Sequence, residues 1–133
     1  MFKRALTYAG ANVSTPMRNG DGLLANIRPS IIATDANLTL TVAQIAGGLV
    51  QFTSFTAGRN VTTPTGTLIE GANPGMDVGD SFSFVVSAIA AFAATWVAGT
   101  GVTLAGRATT PASSWSLVTV TKTAANTFTW NVS

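Results

Sequence analysis

The sequence predicts an all-β fold: an antiparallel β-sandwich or barrel, jelly-roll-like in layout, with one short helix and an extended N-terminal arm. Three observations carry that expectation. From residue 38 onward, β-branched and aromatic residues recur in short runs with a period of two, the spacing that sends alternate side chains to opposite faces of a sheet. Gly, Pro, Asn and Ser separate these runs at regular intervals, as turns do between the strands of a sandwich or barrel. The chain shows no long segments of helical period between the runs, which βαβ units would need.

The arm comes first in the chain. Residues 1–33 hold Lys3, Arg4, Arg18 and Arg28 against one acid, Asp21, whereas residues 34–133 hold three bases against four acids. The formal charge of +2 therefore belongs to the N-terminal third. Asn19-Gly20-Asp21-Gly22, Pro16 and Pro29 interrupt any sustained period there. Phe2, Leu6, Tyr8, Leu23, Leu24, Ile27, Ile31 and Ile32 supply apolar anchors that a solvated tail does not need, so the segment is read as one that docks on a surface. The expected division is an arm over 1–33 and a β domain over 34–133.

Within the β domain, Leu38-Thr39-Leu40-Thr41-Val42 alternates strictly and predicts the first strand. Residues 49–55 follow the turn at Gly47-Gly48, and 60–63 form a short polar strand before Pro64. Residues 65–72 predict the one helix: Thr65 caps it, Leu68 and Ile69 supply its packing, and Asn73-Pro74-Gly75 ends it. Strands resume over 81–88, 94–98, 102–105, 114–121 and 127–132. The last two are the clearest. Trp115 and Leu117 share one face and Val118 and Val120 the other, while Phe128, Trp130 and Val132 alternate with Thr127, Thr129 and Asn131.

Residues 81–106 contain no charged residue, and 82–97 is close to the length of a spanning helix. Period two in Phe82-Ser83-Phe84, with the β-formers Val85-Val86, Thr95-Trp96-Val97 and Val102-Thr103-Leu104, predicts buried strands instead. No membrane is expected as a partner.

Composition excludes much chemistry. The 133 residues include no Cys and no His, which removes disulfides, thiol chemistry, the usual zinc and haem ligands and His-dependent nucleophile sites. Charged residues make up 9% of the chain, against about 25% in a typical soluble domain, and the mean hydropathy is +0.39. Such a chain is expected to cover much of its surface in an assembly, or to draw its surface polarity from Thr, Ser and Asn.

The candidate chemical groups are few. Asp77 and Asp80 are sequence neighbours in a turn, where carboxylates ordinarily bond nearby backbone amides; two carboxylates fall short of a calcium site. Gly47-Gly48 and Gly99-Thr100-Gly101 lack the context of a phosphate loop and suit tight turns. Trp96, Trp115 and Trp130 lie in the net negative part of the chain, so core packing or a subunit interface is expected of them rather than a nucleic-acid platform. No enzyme activity, cofactor, metal or nucleic-acid partner is expected.

Four stretches occur in an order that resembles a small β-rich domain of tailed-bacteriophage virion proteins, found in capsid decoration or cement proteins and head- or tail-fibre attachments. They are Leu40-Thr41-Val42-Ala43-Gln44-Ile45-Ala46-Gly47-Gly48-Leu49; Asn60-Val61-Thr62-Thr63-Pro64-Thr65 leading into Leu68-Ile69; Pro74-Gly75-Met76-Asp77-Val78-Gly79-Asp80-Ser81-Phe82-Ser83-Phe84; and Trp96-Val97-Ala98-Gly99-Thr100-Gly101-Val102-Thr103-Leu104-Ala105-Gly106. A closing strand pair with an aromatic near the C-terminus completes the pattern. Ser87–Ala93 is more apolar than the turn expected there, and the N-terminal third has no counterpart. The resemblance implies a non-enzymatic homotrimer on the outer capsid surface of a virion. Its partners would be copies of itself and the major capsid protein, with Lys3, Arg4, Arg18 and Arg28 as the capsid-contact arm. The rival readings are a receptor- or carbohydrate-binding fibre module, with a host glycan as ligand, and a minor structural virion protein.

Overall fold

From Ser30 onward the chain crosses between two sheets at nearly every step. The computed structural model describes residues 27–133, together with a short antiparallel ladder of β1 (Ala5–Leu6) and β2 (Val13–Ser14). The remaining elements are β3 (Ser30–Ile32), β4 (Leu38–Thr39), α1 (Val42–Ala46), β5 (Leu49–Phe52), β6 (Arg59–Thr62), α2 (Gly66–Ala72), β7 (Ser81–Ala88), β8 (Ala94–Val97), β9 (Val102–Gly106), β10 (Thr109–Thr110), β11 (Ser114–Ala124) and β12 (Thr127–Val132). They build a six-stranded sheet in the order β3-β5-β7-β11-β12-β9 and a four-stranded sheet in the order β10-β8-β6-β4. The protein is mostly β and sandwich-like, with two mixed sheets, and it is not a closed barrel.

Strand direction corrects the antiparallel, jelly-roll-like expectation. β3, β5 and β7 run parallel to one another, as do β4, β6 and β8. The first part of the domain is therefore a coil in which each turn gives one strand to each sheet. Antiparallel strands close it: β10 pairs with β8, β11 with β7 and β12 with β11. β9 then adds in parallel to β12. Parallel neighbours need a crossover connection, and this chain supplies them by passing through the opposite sheet and a short helix.

The helix α1 was not expected. Leu38–Thr39 is a strand, but Thr41 leaves the sheet as an N-cap in extended conformation and Val42–Ala46 turns helical. Thr41 Oγ1 accepts the Gln44 N–H at 3.2 Å while Gln44 Oε1 accepts the Thr41 N–H at 2.9 Å, a reciprocal capping box. α2 starts in the same way on Thr65, whose hydroxyl accepts the Leu68 N–H. Ile45 and Ile69, each four residues past its cap, are buried. The two coil turns thus reuse one local device, a Thr cap followed by a core isoleucine.

The core lies between the sheets. Trp130 of β12 meets Phe84 of β7 edge-on at 5.3 Å and Trp96 of β8 at 5.7 Å between ring centroids, so one side chain joins the closing strands to both walls of the coil. Phe52 and Phe55 stack at 5.0 Å beside it in the same core. Trp96 Nε1 donates to Thr110 Oγ1, which donates to Ser116 Oγ, carrying a buried polar chain from one sheet to the other. Among the described residues Trp130 Nε1 has no hydrogen-bond partner.

Side-chain and backbone clips hold the connections. Lys122 Nζ donates to Met76 O at 3.0 Å and pairs with Glu70 at 3.2 Å, while the other Glu70 oxygen accepts the Asn126 N–H. This ties α2 to the β11–β12 hairpin, and the carbonyl of Asn126 comes so close to Gly66 that a Cβ there would stand 2.0 Å from it. The Asn126 bond and then the Lys122 ammonium hold the Glu70 carboxyl below its usual range. At the opposite end, Asp35 accepts from the Thr56 hydroxyl and N–H and pairs with Arg59 at 2.8 Å.

The β unit takes in Ser30–Ile32, which the charge division groups with the arm, and Ile32 belongs to the core. Lys3, Arg4, Arg18 and the rest of residues 1–26 outside the β1–β2 ladder lie outside the described residues.

Two outcomes follow from this packing. Trp130→Ala is expected to cost about 3–5 kcal/mol in denaturant unfolding. Trp130→Phe, which keeps most of the ring volume and removes an unpaired N–H, should cost under about 2 kcal/mol; equal losses would contradict the central role given to the ring. Hydrogen bonds from Thr56 and then from Arg59 bring Asp35 from its ordinary 3.8 down to about 2. The folded state thus binds this proton less well than the unfolded state, so Asp35 contributes stability above about pH 4 that is lost as pH falls toward about 2. Asp35→Asn should flatten that part of a stability–pH curve, and an unchanged acid limb would count against the clip.

Candidate functional site

The strand alternation decides what the six-stranded sheet shows to its outside. Phe84 and Val86 of β7, Val118 and Val120 of β11, and Phe128, Trp130 and Val132 of β12 point inward and are buried. Their neighbours point outward. Ladder partners place Leu117 beside Val85 and Leu49, Trp115 beside Ser87, and Gln51 between Ser87 and Ile31. Farther along β7 and β11, Ser83 and Thr119 share a hydrogen bond at 3.1 Å and Ser81 and Thr121 one at 2.7 Å. Thr119 lies beside Asn131 and Thr121 beside Thr129, with Thr103 and Ala105 of β9 completing the rows.

None of these outward side chains ionises. Four cations and four acids occur among residues 27–133: Arg28, Arg59, Arg107 and Lys122 against Asp35, Glu70, Asp77 and Asp80. Arg59 and Lys122 are in the loop clips described above, Asp80 accepts the Asp77 N–H within its turn, and Arg107 follows β9. The described part is neutral, and the +2 of the whole chain comes from residues 1–26.

The face has two chemical halves. The more apolar half has one row of Leu49, Val85 and Leu117, the last 40% exposed, and a second row in which Gln51 and Ser87 separate Ile31, 66% exposed, from Trp115, 64% exposed. The other half is Ser, Thr and Asn. At the apolar end, Ile89 and Phe92 of the β7–β8 connection are also exposed. A shallow cavity of about 240 Å³ lies there, lined by Ser87, Ile89, Ser113, Ser114 and Trp115. The outer face of the four-stranded sheet is also uncharged but is mainly hydroxyl-bearing, with Thr39, Thr62, Thr95 and Thr109 around Val97, which is 37% exposed.

The three tryptophans therefore part company. Trp96 and Trp130 are core residues and Trp115 is on the surface. Of the arm residues, Arg28 is described: it is exposed and its N–H donates to Gly47 O at 2.7 Å, beside the start of β5.

Among the described residues no group of three or more His, Cys, Asp or Glu could hold a metal ion, and no helix is long and apolar enough to cross a membrane. A cavity of about 280 Å³ between α1, α2 and β7 is lined by Val42, Ile45, Ala46, Gly48, Ala72, Asn73, Phe82 and Ser83, without an ionisable group. No protein family, curated protein or solved structure matches the chain.

Because the outer side chains contribute little to the core, Trp115→Ser and Thr119→Arg should each change unfolding free energy by less than about 1 kcal/mol. A larger loss in chemical denaturation would mean that the face is a structural support and not a free surface.

Proposed function

We propose that the protein is a capsid decoration, or cement, protein of a tailed bacteriophage: a non-enzymatic homotrimer bound to the outer surface of the major capsid protein. The single observation that carries this reading is the six-stranded sheet face without an ionisable group, which suits a chain meant to be covered. The order of motifs from residue 40 to the C-terminus adds the resemblance to virion proteins. Each copy would bridge neighbouring capsid subunits, and several weak contacts acting together would hold the shell against expansion. The arm, with Lys3, Arg4, Arg18 and Arg28, supplies the positive charge for an acidic capsid surface.

One observation favours a second reading. Trp115 stands exposed beside three serines in a shallow cavity, the combination of a stacking ring and hydroxyls that a carbohydrate-binding fibre module would use to hold a host glycan. A minor structural virion protein would share the uncharged face but differ in copy number per particle.

The test is removal of the arm. Since Arg28 is bonded to Gly47 and Ser30–Ile32 is a strand, the deletion must stop at residue 26. The shortened chain should still form its oligomer but no longer co-sediment with capsids, in contrast to the full chain. Undiminished capsid binding would overturn the arm's role. Glycan-array binding without capsid binding by the full chain would favour the fibre reading.

A further inference from the structure

We infer that the outer face of the six-stranded sheet is the surface through which copies of this chain contact one another, with Trp115 and Leu117 as its anchor. The inference rests on the assembly proposed above and adds the face that makes it.

Three observations choose a second copy as the occupant. The first is charge. A partner recognised through ion pairs would find nothing to pair with here, since no outward side chain of the face ionises. Copies packed by this face around the three-fold axis of the proposed trimer would bury no charge and leave no ion to be desolvated. The second is hydrogen-bonding chemistry. Ser81, Ser83, Thr119 and Thr121 carry hydroxyls, each both donor and acceptor, so the same side chains can satisfy one another across a symmetric contact. The third is area and composition. Six strands about 4.8 Å apart and the eight residues of β7 give a flat footprint on the order of 500 Å² before its corrugation is counted. A standard interface takes roughly 800 Å² of accessible surface per partner. The exposed Trp115 at 64% and, one row along the sheet, the apolar Leu117, Val85 and Leu49 match the aromatic and aliphatic anchors of interface centres.

The four-stranded sheet supplies a matched control. Val97 projects from its outer face with 37% exposure, close to the 40% of Leu117, yet its surroundings are threonines. The full chain, Leu117→Lys and Val97→Lys would be compared by light scattering over a range of concentrations, with near-UV circular dichroism to confirm folding. The parent and Val97→Lys should be oligomers, and Leu117→Lys should run at the 13.6 kDa of one chain, because symmetry would bring the added charges together in a desolvated contact. Trp115→Ser, a milder change, should raise the dissociation constant about tenfold or more, and it decides the matter if Leu117→Lys does not fold.

The outcomes separate the two readings. An oligomer that survives both Leu117→Lys and Trp115→Ser would overturn this face while leaving assembly intact. Equal dissociation by Val97→Lys would overturn it too, because the contact would then not be specific to one sheet. A parent chain that is monomeric at every concentration would remove the self-assembly part of the proposed function and this inference with it. If such a monomer bound capsids and Leu117→Lys did not, the face would belong to the capsid protein.

Discussion

The indole of Trp130 is the contact on which the rest of the structure depends. β7 and β8 belong to a coil whose strands stack in parallel, whereas β12 belongs to the antiparallel pair that closes it. Trp130 touches Phe84 on one wall and Trp96 on the other, so coil and closure share one core. A parallel coil has no intrinsic end. Here the antiparallel return of β10 and β11 ends it, and the large ring fills the space where two strand directions meet. The buried chain from Trp96 through Thr110 to Ser116 adds direction to that contact, since hydroxyl partners fix the indole orientation in a way that apolar contact alone does not.

Much of this was legible in the residues. Ser81–Ala88 and Thr127–Val132 fall where the alternation of Phe82, Phe84 and Val86, and of Phe128, Trp130 and Val132, places them, because one-sided burial writes itself into a sequence with period two. Pairing direction leaves no such mark, and the antiparallel expectation failed for that reason. α1 was hidden by Leu38-Thr39-Leu40-Thr41-Val42, which alternates like a strand although the chain leaves the sheet at Thr41. The signal that identifies it is Thr41 with Gln44 three residues on, a capping box. Of the tryptophans, only Trp115 shares its strand face with Leu117 opposite Val118 and Val120. That opposition already placed it apart from the valines, but alternation alone could not say which face was the core.

Charge placement completes the account of the low charged fraction. Among residues 27–133 the salt bridges, Asp35 with Arg59 and Glu70 with Lys122, tie a loop and a helix to strands β6 and β11 near their ends. Their carboxylates are held by backbone and hydroxyl donors as well as by the cation, so they act as clips on loops. With charge confined to the ends, both broad faces are free of it, and the two differ only in how much apolar surface they add. The apolar half on the six-stranded sheet is what distinguishes it from the threonine-lined face of the other sheet.

A chain with two uncharged faces and open sheet edges risks endless growth, and the edges here are short. β3 has three residues, β4 and β10 two each and β9 five, too short to offer a long ladder to a neighbour. Edge-to-edge addition would repeat along the coil axis and build a filament, whereas the proposed contact through one sheet face would use up that surface of each copy and close. Short edges and a single apolar face are therefore consistent with one another in the proposed assembly: the first discourages open growth, and the second would carry the closed contact.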